Sequence, residues 1–142
     1  MRKSNLFHFF LLGLLFTSAA FFRLHQLKAT DIGTDESFSL YIAQLPTADI
    51  IQTLQKGDNP PLWELLASIL TDLLGFSLYN LRIVSILASI LTGLGIWLLG
   101  SRFLDKTSGL LAASFFLFSN FGFFIAHEAR VYSLLGLLIV LS

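Results

Sequence analysis

Two short polar segments in an otherwise apolar chain hold the residues best suited to chemistry. The first, Thr34-Asp35-Glu36, places two adjacent carboxylates at a candidate helix start, where the helix dipole and free amides favour their ionised form. An ionised carboxylate at a membrane surface can accept a proton from an attacking hydroxyl or amine. The second, residues 127–132, contains Arg130, whose planar donor fork suits a phosphate. The residue types therefore suit general-base catalysis beside a bound phosphate.

Each segment also has a purely structural interpretation. Acidic residues are common in the first turn of a helix, and from spacing alone this capping role is favoured for Asp35 and Glu36. Glu128 and Arg130 can form an ion pair with each other at the membrane rim, and Tyr132 can anchor the chain in the interface.

Metal binding has little support in the sequence. His127 could suggest a ligand, but His25 is the only second histidine near the first polar segment. The chain has no cysteine, which excludes disulfides and thiolate metal sites. We therefore predict no metal centre and no cofactor, and leave a divalent-metal requirement open.

The composition is that of a multi-spanning, all-α membrane protein. Of 142 residues, 55% are hydrophobic and 13% are charged, whereas soluble domains carry roughly 25% charged residues. The mean hydropathy is +0.77. The formal net charge is zero, so no nucleic-acid partner is indicated. The expected environment is the lipid bilayer of the cell (inner) membrane.

Four apolar segments are candidates for crossing the membrane: residues 6–22, 81–99, 109–126 and 131–142. The last supplies about half of the roughly 20 residues that a span needs, so we expect residues 1–142 to be the N-terminal part of a longer protein. Ser18-Ala19-Ala20 also resembles a signal-peptidase site. We favour an uncleaved first helix because the apolar run continues through Phe21 and Phe22.

The segment 62–74 decides the topology. It is amphipathic and about 20 Å long as a helix, too short for a hydrocarbon core of about 30 Å, so we expect it at the membrane rim. With three complete spans and a truncated fourth, the loop 23–80 and residues 127–132 then share the outer side. Rim helices are predicted at 34–45, 47–56 and 62–74. The positive-inside rule places the N-terminus in the cytoplasm, together with these basic residues: Arg2, Lys3, Arg102 and Lys106.

The order of the motifs resembles a known family. After a first membrane helix come Asp35-Glu36, then Asp58-Asn59-Pro60-Pro61-Leu62, then Arg82 opening a membrane helix, a short basic turn at 101–104, and Glu128-Ala129-Arg130-Val131-Tyr132. This order is similar to that of bacterial membrane glycosyltransferases related to protein O-mannosyltransferases and to the aminoarabinose transferase of lipid A, within the glycosyltransferase C superfamily. The resemblance covers nearly the whole chain.

The resemblance implies a polyprenyl-phosphate-sugar donor and an outward-facing site with a carboxylate of the first outer loop as the catalytic residue. Asp35 matches that residue, and Glu36 is its catalytic neighbour. The residues expected to bind substrate are Asn59, Glu128, Arg130 and Tyr132. Asn59 departs from the pattern, because relatives often carry Lys or His before the two prolines. The sugar, the acceptor and the oligomeric state stay undetermined.

A non-enzymatic membrane module, such as a transporter fragment or an assembly partner, is the alternative. Transporters more often contain spanning helices that are broken at the membrane midplane. The spans at 81–99 and 109–126 lack proline, and the polar residues concentrate in the outer loop. Both observations favour the transferase.

Overall fold

The computed structural model describes residues 2–28, 31–56 and 60–142, with side chains from residue 6 onward, and these residues form helices without strands. The helices are α1 (Arg2–His25), α2 (Thr34–Ile42), α3 (Thr47–Leu54), α4 (Pro61–Leu74), α5 (Leu78–Phe103), α6 (Lys106–Phe118), α7 (Asn120–His127) and α8 (Val131–Leu141). The all-α prediction is confirmed for this part of the chain. Asn59 lies outside the described residues.

Among the described residues, two helices are long and apolar enough to cross a membrane. They are α1, over Leu6–His25, and α5, over Leu78–Phe103. α5 is central, since it packs against α1, α4, α6, α7 and α8. α1 passes through Ser18-Ala19-Ala20 without a break, and Ala19 is fully buried. α8 is a shorter apolar helix.

The unbroken third helix expected over 109–126 is not observed. The chain bends by 58° between α6 and α7, so a third span exists only if the bent pair is counted as one. Ser119 has an extended backbone and caps α7, because its hydroxyl oxygen accepts from the Gly122 amide at 2.9 Å. Serine is a preferred N-cap residue, so a local polar signal inside an apolar run starts a new helix without any proline.

Arg23 of α1 stabilises this bend. Its guanidinium is fully buried and donates to the carbonyl oxygens of Leu117 at 2.8 Å and Gly122 at 3.4 Å. It also lies 4.7 Å from the centre of the Phe123 ring. A break inside hydrocarbon is tolerated only when the freed backbone groups find partners. The side chain of Arg23 is such a partner, so α1 and the bend are joined.

The short helices between α1 and α5 agree with the prediction, with ends at Ile42, Leu54 and Leu74. The N-cap of α2 is Gly33, and its amide donates to Glu36 Oε2 at 3.2 Å. The predicted stop of the second helix at Gly57 lies outside the described residues.

The two ends of the bundle hold different polar groups. At the turn end, which we define by the α5–α6 turn, His8 Nε2 lies 3.4 Å from Thr107 Oγ1, so α1 begins beside that turn. At the site end, defined by α2 and residues 127–132, the His127 Nε2 atom lies 2.9 Å from the Arg23 carbonyl oxygen. The Ala129 amide donates to Glu36 Oε1 at 2.8 Å, so the two polar segments lie together at this end. That this end faces the outer side of the membrane stays a prediction.

Close approach of α5 and α6 depends on two glycines. A Cβ atom added to Gly100 would lie 2.7 Å from the Cα atom of Gly109, and one added to Gly109 would lie 2.6 Å from the Trp97 carbonyl oxygen. Both distances are shorter than real contacts, so only glycine fits. Asp105 caps α6 in the adjoining turn, where its carboxylate accepts from the Thr107 and Ser108 amides at 2.8 and 3.0 Å.

The topology is testable by cysteine labelling in the intact membrane, because the chain has no native cysteine. We expect a membrane-impermeant reagent applied outside to label Gln55→Cys and to miss Thr107→Cys, since both positions are exposed but lie at opposite ends. Labelling of Thr107→Cys from outside, with Gln55→Cys protected, would reverse the orientation. Both variants should become labelled after the membrane is permeabilised.

Candidate functional site

A buried ion pair between α2 and α5 is at the centre of the site end. Arg82 Nη2 lies 2.6 Å from Glu36 Oε2, and Arg82 Nε donates to Glu36 Oε1 at 2.9 Å. The two side chains are 1% and 0% exposed. Two parallel charge-assisted bonds are the strongest arrangement available to this pair of residue types.

The Glu36 carboxylate also accepts two backbone hydrogen bonds. The Ala129 amide donates to Oε1 at 2.8 Å, and the Gly33 amide donates to Oε2 at 3.2 Å. Burial alone would raise the pKa of Glu36, but the bonds from Arg82 and from these amides outweigh it and hold the pKa below its ordinary value of 4.5. Glu36 is thus an ionised carboxylate that joins three segments of the chain.

Arg82 extends the same network to the segment after α1. Its Nη1 atom donates to the Leu27 carbonyl oxygen at 3.3 Å, and its Nη2 atom donates to the Asp31 carbonyl oxygen at 3.0 Å. The position of α2 relative to α1 and α5 therefore depends on one guanidinium group.

Asp35 and Arg130 meet beside this pair. Asp35 precedes Glu36 in the first turn of α2, but its side chain points to the surface and is 64% exposed. Arg130 is the N-cap of α8, and its side chain is 11% exposed. Arg130 Nη2 lies 3.8 Å from Asp35 Oδ2, and Nη1 donates to the Asp35 carbonyl oxygen at 3.4 Å. These distances are long for a charge-assisted bond, which is about 2.7–2.9 Å.

Glu64 of α4 is a buried acid that the sequence did not identify as a site residue. Its Oε1 atom accepts from Ser39 Oγ at 2.8 Å and lies 3.7 Å from Arg130 Nη1. Burial raises the pKa of Glu64, although the Ser39 hydrogen bond and the Arg130 charge act in the opposite direction. The signal that the sequence offers is a single acid in the first turn of the amphipathic helix α4.

Glu128 lies next to the ion pair and does not bridge to Arg130. The described ion-pair partners of Arg130 are Asp35 and Glu64, so the local Glu128–Arg130 pair that the sequence left open is not formed. Burial and the negative charge of Glu36 raise the pKa of Glu128. Glu128 also lines an open groove at the site end, whose other lining residues are Gln26, Asn120, Phe123, Phe124 and His127.

Two further residues of the second segment, His127 and Tyr132, have different environments. Tyr132 is 39% exposed in the first turn of α8. His127 is buried, and its two ring nitrogens lie 2.9 Å from the carbonyl oxygens of Phe123 and Arg23. Within the described ranges, no three His, Asp or Glu side chains are grouped in a way that could hold a metal ion.

The burial of the Glu36–Arg82 ion pair leads to a prediction about the free energy of unfolding. Arg82→Met leaves a buried carboxylate without its counter-ion, so we expect the free energy of unfolding in detergent micelles to fall by about 3–5 kcal/mol. Glu36→Gln should also destabilise. Because the pKa of Glu36 is lowered in the folded state, its contribution is present above pH 4.5 and is lost as the pH falls further.

The deficit of Glu36→Gln relative to the native chain should therefore shrink as the pH is lowered from 7 towards 3. Asp72→Asn, at an exposed acid on α4, is the matched control and should change the unfolding free energy by less than about 0.5 kcal/mol. Native stability in both Arg82→Met and Glu36→Gln would contradict a structural role for the pair.

Comparison with known proteins agrees with the resemblance drawn from the motifs. Residues 58–142, more than half of the chain, match the family model described as dolichyl-phosphate-mannose-protein mannosyltransferase. The match includes Glu64, Arg82 and Arg130, whereas Asp35 and Glu36 precede it. No curated protein and no solved structure gives a significant match. The chain belongs to the dolichyl-phosphate-mannose-protein mannosyltransferase family, and so to the glycosyltransferases of membranes.

Proposed function

We propose that the site end transfers a sugar from a polyprenyl-phosphate donor to an acceptor on the outer face of the membrane. The family supplies the reaction class. The observation that carries the proposal is the approach of Arg130 Nη2 to within 3.8 Å of Asp35 Oδ2, although the two residues are 95 positions apart. This approach supports the proposal because a candidate base and a candidate phosphate ligand lie together at one end of the bundle.

Asp35 is the general base in this proposal. It is exposed enough to meet an acceptor, and it lies in the first turn of α2, where the helix dipole favours the carboxylate form. Glu36, which the sequence analysis grouped with it as catalytic, has both oxygens occupied by buried N–H donors. We therefore assign Glu36 to positioning α2 and Asp35 to proton transfer.

Arg130 is the proposed ligand of the donor phosphate. Its contacts with Asp35, Ser39 and Glu64 are all 3.3–3.8 Å long, and its Nε atom is buried without a hydrogen-bond partner. A guanidinium with such contacts has unused donor capacity. A phosphate oxygen pair would use it in a bidentate arrangement.

The transfer step follows from these two roles. The acceptor oxygen or nitrogen attacks the anomeric carbon of the sugar and forms the new glycosidic bond. The bond between the anomeric carbon and the phosphate oxygen breaks, and its electron pair leaves with polyprenyl phosphate. The acceptor proton passes to the Asp35 carboxylate, while Arg130 stabilises the charge on the departing phosphate.

The surroundings of Arg130 complete the proposed substrate surface. Glu128 and Tyr132 flank it in the chain and are both partly exposed, so they are proposed to contact the sugar or the acceptor. Asn59 keeps its predicted substrate-binding role, without a described position. The polyprenyl chain would lie in lipid beside the bundle, with its phosphate at the rim.

The non-enzymatic alternative has one feature in its favour, the bend between α6 and α7 at 58°. Broken helices in transporters present free backbone groups to a substrate. Here the carbonyl oxygens of Leu117 and Gly122 accept from Arg23, so they are already bonded within the protein. The bend is therefore better explained by its contacts with α1 than by substrate binding.

The base is tested by Asp35→Asn in the full-length protein. Loss of a general base should lower kcat for sugar transfer by about 10²–10⁴-fold, while the folded yield and membrane insertion stay unchanged because the side chain is exposed. Asp49→Asn, at an exposed acid of α3, should retain native activity. Native kcat in Asp35→Asn would remove Asp35 from the catalytic role.

The phosphate ligand is tested by Arg130→Gln. Loss of charged hydrogen bonds to phosphate should weaken binding of a polyprenyl-phosphate-sugar donor by about 10- to 100-fold, measured as the donor KM and by direct titration. Arg102→Gln, at an exposed arginine of the turn end, is the matched control with native donor affinity. Equal donor affinity in the two variants would exclude Arg130 as the ligand.

A further inference from the structure

Glu64 has an unusual environment for an acid. Its side chain is only 3% exposed, and its buried Oε2 atom has no hydrogen-bond partner. Burying a polar group without a partner is unfavourable, and native proteins contain few such groups. The hydrogen bond from Ser39 Oγ to Oε1, at 2.8 Å, accounts for only one of the two carboxylate oxygens. The position of this acid therefore needs an explanation beyond folding.

Arg130 lies between Glu64 and the proposed base. Its Nη1 atom is 3.7 Å from Glu64 Oε1, and its Nη2 atom is 3.8 Å from Asp35 Oδ2. The two acids approach the guanidinium almost equally closely. The environments of the acids differ, because Asp35 is 64% exposed and Glu64 is buried. Screening by water weakens the attraction to Asp35 more than the attraction to Glu64.

Ser39 connects Glu64 to Arg130. Its hydroxyl group donates to Glu64 and accepts from Arg130 Nη1 at 3.3 Å. Ser39 lies one helical turn after Asp35 on α2, so these two side chains project from the same side of the helix. The Arg130 guanidinium contacts this side of α2. The geometry gives Arg130 a second negative partner on the interior side of that face.

α4 also fixes the backbone beside Arg130. Trp63, the neighbour of Glu64, is 1% exposed and donates from its indole Nε1 to the Ala129 carbonyl oxygen at 3.0 Å. One turn of α4 therefore makes two contacts: Trp63 binds the backbone of Ala129, and Glu64 faces the side chain of Arg130. A short rim helix thus determines where the guanidinium lies.

We propose that Glu64 is a positioning residue that holds the Arg130 guanidinium away from Asp35, so that Asp35 stays available as a base. This inference rests on the proposed function. Without the Glu64 charge, Arg130 would pair more closely with Asp35. A nearby opposite charge favours the ionised carboxylate and makes it a weaker proton acceptor. Glu64 touches neither the sugar nor the acceptor in this scheme, and it acts through Arg130.

The test is a double-mutant cycle of Glu64→Gln and Arg130→Gln in the full-length protein, with kcat and donor KM measured separately. Gln keeps the shape of the side chain and an acceptor for Ser39 but removes the charge. We expect Glu64→Gln to lower kcat about tenfold and to change the donor KM by less than about threefold, because base strength is affected more than phosphate binding. In the Arg130→Gln background, the same change should lower kcat by less than about twofold.

Two further variants separate this role from a structural one. Ser39→Ala removes the connecting hydroxyl without changing charge, and should lower kcat in the same direction as Glu64→Gln. Asp72→Asn removes an exposed charge from the same helix and should leave both kinetic constants at native values. The folded yield of each variant is compared by size-exclusion chromatography in detergent.

The outcomes distinguish the inference from the function on which it rests. Native kcat in Glu64→Gln, or an equal loss in the native and Arg130→Gln backgrounds, would overturn the positioning role while leaving Arg130 as phosphate ligand. An unchanged donor KM in Arg130→Gln would instead contradict the proposed function itself. A tenfold loss of kcat that disappears in the Arg130→Gln background supports the inference.

Discussion

The arrangement of the helices depends on one buried ion pair, Glu36 with Arg82. Two charges removed from water are stable together only when their hydrogen bonds have good geometry. Isolated charges of this size are strongly disfavoured in a medium of low polarity. The pair forms two bonds at 2.6 and 2.9 Å, and both groups also form hydrogen bonds with backbone atoms. Because those atoms belong to the segment after α1, to the start of α2 and to Ala129, the pair fixes the relative positions of the parts that form the site.

This constraint gives adjacent acids different environments. Consecutive residues of a helix point about 100° apart, so when Glu36 is buried against α5, Asp35 must lie nearer the surface. Glu36 is 0% exposed and Asp35 is 64% exposed. The same segment that donates the Ala129 amide to Glu36 also carries Arg130 towards Asp35. Structural and proposed catalytic roles are thus divided between neighbouring residues by helix geometry.

A second constraint applies inside the bundle, where every backbone polar group needs a partner. The bend at Ser119 leaves the Leu117 carbonyl oxygen, in the last turn of α6, without a helical partner, and Arg23 donates to it and to the Gly122 carbonyl oxygen of α7. His127 then lies against the Arg23 carbonyl oxygen. The end of α1 is therefore bound to α7 by polar contacts, and α7 leads directly into the segment that contains Arg130. The bend thereby contributes to placing the site end.

The sequence by itself determined the helical class, the amphipathic helix α4 and the grouping of both polar segments at one end, because hydrophobic periodicity and run length depend on local residue order. It also determined the family. The sequence predicted Asp35 and Arg130 in one site, but it did not identify Arg82 as the partner of Glu36 or Glu64 as the second acid beside Arg130. It also missed the break at Ser119, since an apolar run shows no sign of a distant arginine that binds carbonyl oxygens on both sides of the break. Those features join residues about 25 to 100 positions apart, so only tertiary packing, which decides which groups leave water together, could select them.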